Sequence, residues 1–257
     1  MKSSRLLKYF EEYIKKYDMN NNVTKAKYFH SLKSMDMARI IASSLNIFSE
    51  EEIVIMELIA LFHEIGSFEN KMHNYLDYEE ADTSMKSIEI LFDEGLVRKI
   101  TPETKYDNII KLGIFCHNKE GLPQGIDEKT IHICNIMKDI HKLEQIRRVM
   151  NYPYIDNRIN SYPSALVYND FKTFKCIDAK MSDNNADNIL IALSNMFNIN
   201  YDISYGILEE NDYIGKIIDS LDFEDKKIEK FFKQIENVLK NYLKKKTFNL
   251  QKENNMV

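Results

Sequence analysis

A histidine followed directly by a glutamate, His63 and Glu64, closes an almost unbroken apolar run over residues 53 to 62, and Gly66 follows two residues later. An imidazole and a carboxylate placed where a buried helix meets a glycine turn are costly to desolvate, and a metal ion can offset that cost. Five of the six histidines, His30, His63, His117, His132 and His141, fall within, at or close to the ends of expected helices. A neutral imidazole is the commonest transition-metal ligand, and an added carboxylate favours iron, manganese, zinc or cobalt. One such histidine says little, because most imidazoles simply find a hydrogen-bond partner. The order and spacing of the whole set carry the signal.

Helices have to position these groups. Ala26, Phe29, Leu32, Met37, Ile40, Ile41 and Leu45 recur at near-helical spacing over residues 24 to 46, with Thr24 as the expected cap and His30 on the stripe of Ala26, Met37 and Ile41. Ser49 followed three residues later by Glu52 is a capping box, opening a helix that runs to His63. Gly66 is expected to end it in a left-handed turn, and Glu57 alone interrupts its apolar run, so this helix should be central and buried on most sides. Further helices are expected over residues 83 to 94, closed by Gly95, over 106 to 117 and over 127 to 149. The last has Ile133, Ile136, Met137, Ile140, Leu143 and Ile146 pointing inward. Residues 152 to 164 read as a connecting loop, on the evidence of Pro153, Asn157 and Pro163. Helices near 185 to 197, 204 to 220 and 224 to 246 follow, the last with Ile228, Phe231, Phe232, Ile235, Val238, Leu239, Tyr242 and Leu243 on one face.

Composition agrees with an all-α fold. Only 7 glycines and 4 prolines occur in 257 residues, too few tight turns for a sandwich or barrel. A single body is expected, with a core at 24 to 150 and a C-terminal helical extension at 151 to 257 packed on it. The net charge of -5 is spread over interleaved acids and bases, which argues against an extended nucleic-acid surface, though not against a local one. Residues 1 to 17 form a charged amphipathic helix without a signal core, and no apolar run reaches 18 residues, so a cytoplasmic protein is expected. Cys116, Cys134 and Cys176 lack paired spacing and are expected as buried free thiols. The lysines at 244 to 246 are expected to close a helix, where cations oppose the macrodipole favourably.

His30, the segment LFHEIGSFE at 61 to 69, IFCHNKEGLP at 114 to 123 and IMKDIHKLEQIRR at 136 to 148 together resemble the HD phosphohydrolase superfamily. The resemblance is clear over residues 24 to 150 and looser beyond. It implies an HD-domain-like helical bundle that presents a histidine, a His-Asp pair and a distal Asp to one or two divalent ions. Carried over residue by residue, His30 and His63 match the first two ligands, and His117 matches the later histidine of two-metal members. Glu64 stands where the family has Asp and keeps the catalytic carboxylate one methylene longer. The family's distal Asp falls in register with His141, not Asp139. About 200° separates two residues spaced by two on a helix, so both cannot face one ion, and Asp139 is left as a surface or hydrogen-bonding carboxylate. Thr83 stands where a second-metal histidine is common, and reads instead as a helix N-cap. His73 is expected on an exposed loop.

The metal set implied by the resemblance is therefore His30, His63, Glu64, His117 and His141, four imidazoles and one carboxylate. Less negative charge weakens the attraction for the hardest ions, so the expected cofactor is one divalent ion among Mn, Fe, Zn, Ni and Co. Lys119, Lys142 and Arg147 are candidate phosphate contacts by position, set against many solvated lysines. The resemblance implies a phosphohydrolase acting on a nucleotide or other small phosphoester. The alternative is a catalytically degenerate relative that binds a ligand or protein in the same pocket. No nucleophile elbow, P-loop or dinucleotide turn competes with these readings.

Overall fold

The computed structural model describes residues 2–69, 83–119, 121–151 and 156–254, so His73 lies outside the described residues. They form twelve α-helices and two very short strands, an all-α architecture. The chain divides into two compact units, Met1–His141 and Lys142–Val257. No helix among the described residues is long and apolar enough to cross a membrane.

The first unit contains α1 (Ser3–Ile14), α2 (Asn22–Ser44), α3 (Glu50–Phe62), a 3-10 turn (Ile65–Glu69), α4 (Ser84–Phe92), α5 (Leu96–Ile100) and α6 (Asp107–Cys116). The long α7 (Glu128–Asn151) supplies its last residues. Helix α3 is the centre, because every residue from Ile53 to Phe62 is buried. Its capping box forms as expected: Ser49 Oγ accepts from Glu52 N–H, and Glu52 Oε2 accepts from Ser49 N–H. Helices α1, α2 and α6 pack around it. Leu6, Phe10 and Ile14 give α1 its buried stripe at intervals of four, and Phe10 meets the Phe62 ring edge-on at 5.5 Å. Glu57 remains inside α3 because Arg39 grips it at 2.6 and 3.1 Å and Ser3 Oγ donates to it at 2.7 Å. A buried carboxylate is tolerated only when so paired.

Helix α2 departs from the expected stripe. Phe29 and Ile40 are exposed, whereas Lys27, His30, Ser31 and Ser34 are buried beside Met37, Ala38 and Ile41. On a helical wheel Lys27, His30, Ser31 and Ser34 fall within an arc of about 100°, so the inward face of α2 begins as a polar strip. The cap also moves: Asn21, not Thr24, accepts from the N–H groups of Val23 and Thr24.

Gly66 is not left-handed, contrary to the sequence expectation; the positive-φ glycines among the described residues are Gly95 and Gly125. Its reason is close approach. A Cβ there would lie 2.8 Å from Lys86 Cβ and 2.8 Å from Ser87 N, because α4 is pressed on the 3-10 turn. Gly66 N–H donates to Ser87 Oγ, which in turn donates to the Thr83 carbonyl. Thr83 holds the N-cap position of α4 without a side-chain capping bond.

The second unit contains the remainder of α7, β1 (Arg158–Ile159), α8 (Ala165–Phe171), α9 (Asn185–Ser194), α10 (Asp202–Glu210), α11 (Tyr213–Ser220), β2 (Asp222–Phe223) and α12 (Lys226–Asn254). The expected loop at 152 to 164 therefore contains a strand, which pairs in parallel with β2. The helix expected over 204 to 220 is broken where Asp212 turns left-handed at φ 45°. Ile228, Phe232, Ile235, Leu239 and Leu243 form the buried stripe of α12, against which α10 and α11 pack, while Val238 is exposed. The stripe is narrower than the apolar pattern, because Phe231 and Val238 sit to one side of it.

The replacement Gly66→Ala should lower stability by about 1–3 kcal/mol, since a backbone nitrogen cannot yield as a flexible side chain can. Urea unfolding would register this as a lower midpoint at an unchanged slope.

Candidate metal centre

Two of the candidate ligands are helix terminators. His63 is the C-cap of α3 and His117 the C-cap of α6. The last carbonyls of a helix lack intrahelical donors, and each histidine satisfies one of its own. His63 Nδ1 lies 2.7 Å from the Ala60 carbonyl, and His117 Nδ1 lies 2.6 Å from the Ile114 carbonyl. A carbonyl only accepts, so each Nδ1 carries the proton. Each Nε2 is thereby left with its lone pair, the form a metal requires.

Helix α2 brings His30 from the other side. His30 Nε2 is 3.2 Å from His63 Nε2 and 3.1 Å from Glu64 Oε2. His63 Nε2 bears no proton, so it can only accept in this contact. Glu64 follows the α3 cap directly, and its Oε1 is 3.8 Å from His63 Nε2. The His63 and His117 ring centres are 4.8 Å apart, and those of His117 and His141 are 5.2 Å apart. All five sequence-derived ligands thus assemble in one place.

They form two overlapping groups. His30, His63 and Glu64 each offer a ligand atom within 4.8 Å of the others, and so do Glu64, His117 and His141. Either group could hold a metal ion, and Glu64 belongs to both. His117 sits between His63 and His141, its ring meeting both. Asp139 is in neither group and is fully buried, so it is not a helix-surface carboxylate. His30, His63, Glu64 and His117 are buried, while His141 is half-buried. Burial pushes the His63 pKa down to about 3, and the neighbouring His117 and His30 add to this against the opposing pull of Glu64. His63 is therefore neutral at ordinary pH.

The candidate phosphate contacts are held by protein groups. Lys119 is half-buried, with Nζ 5.5 Å from the Phe115 ring centre. In the second unit, Lys142 donates to the Asn198 carbonyl, and Arg147 grips Glu144 at 2.6 and 2.7 Å.

Sequence reasoning missed several groups beside the ligands. Lys27 is buried three residues before His30, and its Nζ donates to the Ser67 carbonyl at 2.5 Å, tying α2 to the turn after Glu64. The hydroxyls of Ser31, Ser34 and Ser67 are buried without a hydrogen-bond partner among the described residues. For Ser31 and Ser34 the available signal was their spacing of four from Lys27 and His30, on one face of α2; Ser67, outside that helix, left none. Cys116 and Cys134, expected to be unrelated, influence each other: Cys134 and Lys138 hold the Cys116 thiol below its ordinary pKa, while Cys116 and burial raise that of Cys134, whose thiol donates to the Leu112 carbonyl. Cys176 is exposed rather than buried.

Family models, curated proteins and solved structures give no match to this chain.

The His63 environment makes a pH prediction. Its folded pKa lies below the ordinary 6.5, so the unfolded chain takes up a proton first as pH falls. Stability is thus full above about pH 6.5 and declines between there and about pH 3. In metal-free protein the loss from pH 7 to pH 5 should be about 2 kcal/mol from this residue. Urea unfolding of the native chain and of His63→Gln at both pH values checks it: the variant should lose less stability over the same interval, and equal losses would refute the assignment.

Proposed function

We propose that this chain is a metal-dependent phosphohydrolase of the HD superfamily type, acting on a nucleotide or other small phosphoester. The observation that carries the reading is the double preset of Nε2 lone pairs at His63 and His117 on either side of a carboxylate shared by two ligand groups. His30, His63 and Glu64 would hold one divalent ion, and Glu64, His117 and His141 a second. When bound, such an ion polarises a phosphoryl oxygen and makes a water more acidic. Glu64 would help hold the ion and would accept a hydrogen bond from such a water. The peptide carbonyls of Ala60 and Ile114 keep the two imidazoles from turning. His30 would offer Nε2 in the same way, and because an imidazole ligates only in its neutral form, metal uptake should weaken as pH falls. The imidazole-rich set suits zinc, cobalt, nickel, iron or manganese better than calcium or magnesium.

The test combines elemental analysis of the purified chain with hydrolysis of a nitrophenyl phosphodiester and a panel of nucleotides after stripping and reloading with each ion. Reloaded protein should bind up to two ions and hydrolyse at least one substrate, and chelation should abolish turnover. Glu64→Gln should weaken metal retention by more than the roughly 10- to 100-fold that loss of a mere outer-shell partner costs, and remove activity. Glu64→Asp combined with His141→Asp should raise affinity for manganese, because a hard ion gains from two carboxylates. Failure of the native chain to retain any divalent ion would overturn the reading. Retention without turnover would instead favour a binding module built on the same pocket.

A further inference from the structure

The second unit carries a set of aromatic rings that the metal chemistry does not use. Phe174 follows α8 in the left-handed region, at φ 56°. Its N–H donates to the Phe171 carbonyl and that of Thr173 to the Asp170 carbonyl, so Phe174 occupies the helix-ending position where glycine is usual. A bulky residue there is disfavoured, so the contacts of its ring must offset the cost. That ring stacks on Tyr242 with centres 5.5 Å apart and planes only 8° from parallel, and Phe174 is still 44 % exposed. Phe197 meets both rings edge-on at 5.2 Å.

A lysine lies against the stack, and others are near it in the chain. Lys246 Nζ lies 5.4 Å from the centre of the Tyr205 ring and 5.6 Å from that of Tyr242. The helix-end explanation for the lysines at 244 to 246 fails, because α12 continues to Asn254 and the dipole effect is confined to the last turn. Lys175 is exposed beside Phe174, and Lys142 donates to the carbonyl of Asn198, the neighbour of Phe197.

We propose that this face binds single-stranded nucleic acid, with a base continuing the Tyr242–Phe174 stack on the outer side of Phe174 and the adjoining phosphates lying against Lys246 and Lys175. A flat exposed ring rimmed by amines matches a flat ring joined to an anion. An apolar protein partner or a lipid tail would leave the amines desolvated. Duplex bases are closed to such stacking, whereas every single-stranded base offers a π-face. The chain's net charge of -5 confines the interaction to this local patch. The inference is independent of the metal site.

The test is fluorescence anisotropy of the full chain with a labelled oligo(dT) of about 12 nucleotides at low salt, with single-site variants. Phe174→Gly removes the ring and also relieves the backbone, so its fold should survive; it should bind at least about tenfold more weakly. Phe174→Tyr should bind like the native chain. Lys246→Gln should reduce the salt dependence by about one counterion. A duplex of the same length, or free thymidine monophosphate, should bind at least about tenfold more weakly than the strand. No strand binding by the native chain, unchanged binding by Phe174→Gly, or equal binding of duplex or mononucleotide would each overturn the proposal. If Phe174→Gly proves unfolded by circular dichroism, Phe174→Leu replaces it with the same expected loss.

Discussion

One hydrogen bond, from a histidine Nδ1 to the carbonyl three residues earlier, is made twice in the first unit, and the candidate centre depends on it. At the end of α3 and again at the end of α6 it satisfies a carbonyl that the helix itself leaves open. The same bond assigns the proton, fixes the ring and aims the unprotonated Nε2 at Glu64 and its neighbours. Helix termination and ligand preparation are thus one event. His30, in mid-helix, meets these groups from the other side, with Nε2 close to the His63 ring and to the Glu64 carboxylate.

Burying this much polarity shapes the surrounding packing. Helix α2 turns Lys27, His30, Ser31 and Ser34 inward and leaves Phe29 and Ile40 outside, an arrangement that hydrophobic burial alone would reverse. The compensation is local: Lys27 is tied to the Ser67 carbonyl, and Glu57 is gripped by Arg39. On the far side Gly66 lets α4 sit against the turn that carries Glu64, at a distance no side chain would permit. The apolar length of α3 supplies the burial that offsets these polar groups.

The second unit follows a different logic. Its longest helix, α12, buries a narrow stripe and presents Tyr242 and Lys246 beside it, so that rings from three stretches of chain meet at Phe174 and Phe197. The lysine run that looked like a helix end is part of a helix interior. Cation–ring contacts at Lys246 take the place of the dipole as its local interaction.

Much of this was legible in the sequence. The all-α class, the capping box at Ser49 and Glu52 and the central burial of α3 follow from local spacing, because helical periodicity and caps depend on neighbours within a few residues; the five candidate ligands, which the structure brings together, came from the HD resemblance instead. Choosing His141 over Asp139 needed only the register of the HD resemblance and the rotation between adjacent helical positions. What the tertiary structure decided is whatever depends on a partner far along the chain. Gly66 was misread because close approach of α4 leaves no local mark, and the stripe of α2 was misread because its inward face answers to the histidine and turn opposite it. The pairing of Cys116 with Cys134, the sharing of Glu64 between two groups and the stacking on Phe174 are likewise contacts between distant segments. Periodicity tells which face of a helix turns inward on average; only the neighbour it meets tells what that face must contain.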